Sequence, residues 1–149
     1  MAYVPKDARW FLADLVLEFR IQDDARNVIH INTLLIRAKT PERAYLRATK
    51  LGRKAEKEYE NSDGKTVRVI FRGLQDLKVI YEKLKHGAEI MYDERTALTE
   101  RQVAKLVSSK EELGVFEYRK KPTRDEPNYM PKNIMDALRA AGFGVHPLK

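Results

Sequence analysis

Six cations, Arg43, Arg47, Lys50, Arg53, Lys54 and Lys57, stand close together in the first half of the chain. On a helix turning about 100° per residue they share one sector, away from Ala44, Ala48, Leu51 and Ala55. A ridge of one sign is able to follow the phosphates of a nucleic acid, touching the backbone rather than the bases. The alternative is a solvated face, since every amphipathic helix must turn something soluble outward. Glu56 and Glu58 are the counterweight at its end. A second basic group, Arg119, Lys120, Lys121 and Arg124, stands beside Pro122, Pro127 and Pro131. It reads either as a plain linker or as an arm that meets nucleic acid or another subunit.

Mixed chemistry is expected on the sheet face that the main helix leaves free. Asp14, Glu18, Arg20, His30, Asn32, Arg68 and Arg72 are assigned to it. Carboxylates, an imidazole and guanidiniums together have the makings of a catalytic or ligand site, and His30 with Asp14 or Glu18 is the grouping left open to a metal ion. They equally make cross-strand ion pairs on a solvated sheet. Trp10, Leu12, Val16, Leu34, Ile36 and Ile70 are assigned to the same face, which makes it more apolar than free solvent usually meets. Cover by the C-terminal helix or by a second subunit is therefore expected.

Other chemistry finds little footing. His30, His86 and His146 sit on separate segments without metal-ligand spacing. There is no Gly-x-Gly-x-x-Gly, and Asp63-Gly64-Lys65-Thr66 lacks the first glycine of a phosphate loop and falls at a hairpin turn. Ser62, Ser108 and Ser109 stand on no nucleophile elbow. No cysteine is present, which removes disulfides, thiolate metal sites and thiol nucleophiles.

These residues need elements to hold them. Trp10 to Ile21 alternates with period two, and Phe11, Ala13, Leu15, Leu17, Phe19 and Ile21 make one apolar face: a strand on a core. A polar turn over 22–27 leads to a second strand, Val28 to Arg37, and a connection that short favours an antiparallel pair. Thr40-Pro41-Glu42 opens a helix, with Thr40 as cap, Pro41 in the first turn and Glu42 at the positive end of the dipole. Gly52 is a soft spot in it. Asp63-Gly64 marks a hairpin whose returning strand carries Val67, Val69 and Phe71 and ends at Gly73. Residues 74–85 fit helix or strand; strand is preferred, because His86-Gly87 looks like a turn into a last strand at 88–92. Thr99 caps a helix to Val107, and a final helix over 132–141 stops at Gly142, with Ile134, Met135, Leu138 and Ala141 on one face.

The net charge is +7, carried by residues 1–54 and 99–149 and absent from the middle. A basic balance favours a polyanion partner without proving one. The first residues lack the apolar core of a secretory signal, no stretch approaches the length that spans a bilayer, and a cytoplasmic location is expected.

Several segments also resemble, in order, a small bacterial family of unknown function. They are Trp10-Phe11-Leu12-Ala13-Asp14-Leu15-Val16, Arg26-Asn27-Val28-Ile29-His30-Ile31-Asn32, Ala38-Lys39-Thr40-Pro41-Glu42-Arg43-Ala44-Tyr45, Phe71-Arg72-Gly73-Leu74 and His86-Gly87-Ala88-Glu89. The similarity runs over residues 9 to 116. It implies a compact, cytoplasmic αβ domain and brings no activity or catalytic residue with it.

The expected fold is α+β: an antiparallel sheet of about five or six strands, one main helix on one face, and short C-terminal helices. Residues 1–116 form the α+β domain, and 117–149 the basic proline-containing arm with a short helix. The expected function is a non-enzymatic binding or assembly module without cofactor or metal, partnered by itself or another protein. Nucleic-acid binding through the basic helix face, and a small enzyme around His30, are the alternatives.

Overall fold

Period-two alternation in the first strand places its odd-numbered residues on one side of a sheet. The computed structural model describes residues 3–117 and 125–141, with the backbone alone at 138 and 139. Arg119, Lys120, Lys121 and Arg124 of the basic arm, with Gly142 and His146, lie outside the described residues, as does the side chain of Leu138. The chain divides into two units, Met1–Met91 with Asp125–Lys149, and Tyr92–Arg124.

In the first unit β1 (Trp10–Ile21) pairs antiparallel with β2 (Asn27–Arg37) on one side and with β4 (Thr66–Val79) on the other. The short β3 (Lys57–Glu60) closes the sheet in the order β2-β1-β4-β3. Helix α1 (Pro41–Lys54) crosses between β2 and β3. Thr40 caps it, its hydroxyl accepting the Arg43 N–H at 3.1 Å.

The core lies between α1 and the odd-numbered face of β1. Phe11, Ala13 and Leu15 pack with Ile36, Ala38, Ala44 and Ala48. A second cluster, Leu17, Phe19, Ile21, Val67 and Val69, continues the same layer. The small-residue stripe of α1 runs Ala44, Ala48, Gly52 rather than through Leu51, which is exposed. At Gly52 the helix lies close against Phe71 of the sheet.

The sheet has four strands, not five or six. The expected break at Gly73 and the expected strand at 88–92 are both wrong. β4 runs unbroken for 14 residues from Thr66 to Val79. Its register against β1 shifts twice, between Asp14 and Leu15 and between Val16 and Leu17. Each shift leaves one extra residue on β4, Gln75 and Arg72. Gly73 sits between them at φ 129°, a conformation open to glycine. Residues 88–92 carry no strand.

The segment from Asp125 to Pro131 lies against the end of the sheet. Arg26 donates to the Asp125 carbonyl, Asn61 Nδ2 to the Asn128 carbonyl at 2.9 Å, and the Tyr59 hydroxyl to the Tyr129 carbonyl. A bridge joins Asn61 to Pro131, and α3 (Lys132–Ala140) follows. In the second unit, α2 (Glu100–Leu106) begins with a reciprocal cap between Thr99 and Gln102. No helix of the described residues is long and apolar enough to cross a membrane.

Candidate functional site

The β1–β2 register decides which side chains share a face. Leu17 stands opposite His30, Leu15 opposite Asn32, Ala13 opposite Leu34 and Phe11 opposite Ile36. Directly opposed residues point the same way. His30, Asn32, Leu34 and Ile36 therefore belong to the α1 face, and their assignment to the free face is corrected. His30 stacks on Phe19, ring centres 4.6 Å apart, and meets Tyr129 edge-on at 5.0 Å. It is part of an aromatic cluster that seats the C-terminal segment, away from Asp14 and Glu18.

Trp10, Asp14, Glu18, Arg20, Arg68 and Arg72 do share the free face. They are tied to one another and to their neighbours. The Arg37 guanidinium lies 5.8 Å above the Trp10 ring. Asp14 accepts the Thr33 hydroxyl at 2.6 Å. Arg68 faces Glu58 across the β3–β4 ladder at 3.8 Å.

Glu18 is buried, with 8% of its surface exposed. It accepts from the Asn27 amide at 2.6 Å, and Arg20 and Arg72 approach at 3.2 and 3.9 Å. The Asn27 hydrogen bond holds its pKa below the ordinary glutamate value; the two guanidiniums act the same way, against the effect of burial. A depressed native pKa gives stability that is complete above the unfolded value and lost as pH falls through the native one. Melting temperature is accordingly expected to drop on acidification below pH 4.5, and Glu18→Gln should flatten that acid limb. Parallel melting curves for the two proteins would show that Glu18 carries none of it.

The basic ridge is real but shorter than expected. Arg43, Arg47, Lys50, Arg53 and Lys54 are exposed on α1. Lys57 is not on the helix; it opens β3, with its ammonium 5.6 Å above the Tyr59 ring. Arg47 Nη1 donates to the Arg37 carbonyl at 2.5 Å. Open, shallow depressions along the outer side of α1 are lined by helix residues such as Tyr45, Leu46, Lys50 and Arg53. Among the described residues no cluster of His, Asp and Glu is arranged to hold a metal ion.

What the sequence reading missed is the outer side of β2. Ile29, Ile31 and Leu35 lie on the free face and remain 48%, 48% and 46% exposed. β2 is also an edge of the sheet, 11 residues long, with no formal charge from Asn27 to Ile36. The other edge is unlike it: β3 has four residues, three of them charged, and runs into the Asn61–Pro131 bridge. The signal was present in the loop. Arg20 and Asn27 close a connection of six residues, and an even connection sets odd residues of one strand against even residues of the next.

The model of a family described as a domain of unknown function, DUF4288, matches residues 10–92, more than half of the chain. The chain belongs to this family. No curated protein and no solved structure matches the chain. The DUF4288 region takes in all four strands and α1, so the β2 edge and the α1 ridge are parts of the shared domain. The Asp125–Pro131 segment lies outside the matched DUF4288 residues.

Proposed function

We propose that the chain is a non-enzymatic assembly module that joins another polypeptide along the β2 side of its sheet. One observation carries the reading: a long, uncharged edge strand whose outward side chains are isoleucine and leucine. Edge strands that stay alone are normally short, charged, interrupted by proline or covered, because their unpaired N–H and C=O groups invite another strand. Among the described residues β3 has such protection and β2 lacks it. Sedimentation velocity over a dilution series tests the reading. The wild-type chain should sediment as an assembly that dissociates on dilution, and Ile31→Lys, which adds a charge at a half-exposed position, should sediment as a monomer throughout. A wild-type chain that is monomeric at every concentration would end the proposal.

A second reading, contact with a polyanion through α1, is favoured by Arg43, Lys50, Arg53 and Lys54, which have no ion-pair partner among the described residues. The ridge lies on the far side of the sheet from Ile31, so the Ile31→Lys variant leaves it intact.

A further inference from the structure

Hydrogen bonds just beyond the strands fix which backbone groups of β2 face outward. The Ala38 N–H donates to the Arg9 carbonyl at 2.9 Å, and these two residues stand opposite one another in the β1–β2 register. In an antiparallel ladder, bonded and non-bonded pairs alternate. Even-numbered residues of β2 therefore spend their N–H and C=O groups on β1. The odd-numbered ones, Asn27, Ile29, Ile31, Thr33 and Leu35, turn theirs away from the sheet. On the other flank of β1, the Ile80 N–H reaches the Trp10 carbonyl at 2.9 Å, so even residues of β1 serve β4 and odd ones serve β2, as this pattern requires.

The free stretch is bounded at both ends. Arg37 is the next odd residue, and its carbonyl is taken by the Arg47 side chain, which brings a cation to that corner. At the other end Asp24 accepts the Arg26 backbone N–H at 3.0 Å, closing the turn before Asn27. Among the described residues the open edge thus runs from Asn27 to Leu35, and its midpoint is Ile31.

We infer that the occupant of this edge is a second copy of the chain, paired antiparallel about a two-fold axis at Ile31. The inference rests on the assembly reading above and names its partner and register. A two-fold there sets Ile31 against Ile31, Ile29 against Thr33 and Asn27 against Leu35. It uses every free odd position, whereas a shift toward either end leaves some unpaired or drives the copy into the Arg37–Arg47 corner. Charge points to the same place. A chain of net charge +7 repels its copy as a whole, but the Asn27–Ile36 segment carries none of that charge. The axis stands perpendicular to the joined sheet, so both α1 helices lie on one side and the Ile29, Ile31 and Leu35 side chains of both copies form one strip on the other.

Single cysteines read the register directly, because the chain has no cysteine of its own. Opposed residues in a bonded antiparallel pair have Cα atoms about 5.5 Å apart, within disulfide reach. With the axis at Ile31, the two copies of residue 29 lie four positions apart along the strands, roughly 14 Å, beyond it. Under mild oxidation the full-length Ile31→Cys variant should shift to a covalent dimer of twice the monomer mass. Ile29→Cys and Thr33→Cys should each stay uncoupled alone and couple when mixed. Ile29→Cys coupling with itself, or Ile31→Cys failing to couple while the wild-type assembly still dissociates with Ile31→Lys, would overturn the pairing and leave the assembly reading standing. A wild-type chain that never assembles would overturn both. All three positions are exposed, so the variants are expected to fold, and a melting curve unchanged from wild type checks that each does.

Discussion

Asn61→Ala is expected to lower folding stability by about 3 kcal/mol, the sum of three hydrogen bonds at about 1 kcal/mol each. Asn61 is 1% exposed, at the corner where β3 turns toward β4. Its Oδ1 accepts the N–H groups of Asp63 and Lys65 at 3.0 and 2.9 Å, and its Nδ2 donates to the Asn128 carbonyl at 2.9 Å. The first two bonds shape the hairpin; the third ties down the C-terminal segment. Asn61→Asp separates the two tasks. A carboxylate keeps both acceptor bonds but has no donor for Asn128, and it sets a charge against that carbonyl. The Asp variant should therefore keep the hairpin bonds while chymotrypsin cleavage after Tyr129 accelerates. Equal cleavage in Asn61→Asp and wild type would mean that Asn61 does not hold the segment. Burial raises the Tyr59 phenol to about 12, with the nearby Tyr129 phenol adding to the shift, which fits the close seating of that segment on β3.

Gly52→Val should cost about 2–3 kcal/mol, through overpacking rather than loss of contact. A Cβ at Gly52 would stand 2.4 to 2.6 Å from Cε2, Cζ and Cδ2 of Phe71. Phe71 packs against both core clusters, so its ring has little room to retreat. Replacing glycine inside a helix ordinarily gains up to about 1 kcal/mol, which is too little to offset the clash. Phe71→Leu in the same chain should recover part of the loss, because the two positions touch and their effects are then not additive. Denaturant midpoints of the two single variants and the double variant give the coupling; simple additivity would show that the ring is not what the new side chain meets.

Three elements were legible in the sequence because local and global signals agree in them. β1 alternates cleanly, α1 has Thr40 and Pro41 at its start, and the Asp63-Gly64 turn closes the β3–β4 hairpin. β4 was obscured by its two bulges. The residues of β4 that reach the core are Val67, Val69, Phe71, Leu74, Leu77 and Val79. A bulge inserts one residue and turns a spacing of two into a spacing of three, and three is also a helical spacing. The 74–85 stretch was therefore ambiguous for a physical reason. Gly73 reads as a stop because glycine weakens a strand interior, although glycine also marks bulges.

The candidate site was half legible. The chemistry of Asp14, Glu18, Arg20 and Arg72 was assigned to the right face, and the α1 cations to the right helix. His30 and Asn32 lie on the α1 face, because the six-residue loop reverses the odd-even parity between β1 and β2. With that parity restored, the free face loses its imidazole and gains Ile29, Ile31 and Leu35. The alternative of a small enzyme around His30 then loses its centre. Pattern alone does not report which edges of a sheet are bare; that depends on strand order, set by contacts far apart in sequence.

The unequal edges of the sheet limit its valency. Each chain offers one open side, because β3 is short and charged and ends at the Asn61–Pro131 bridge. When two open sides meet, both are consumed and the joined sheet is closed at its two outer ends. Association of this kind stops at a pair and does not propagate into a fibre. In the proposed pair, the C-terminal segment, held at the Asn61–Pro131 bridge, is what keeps the assembly finite.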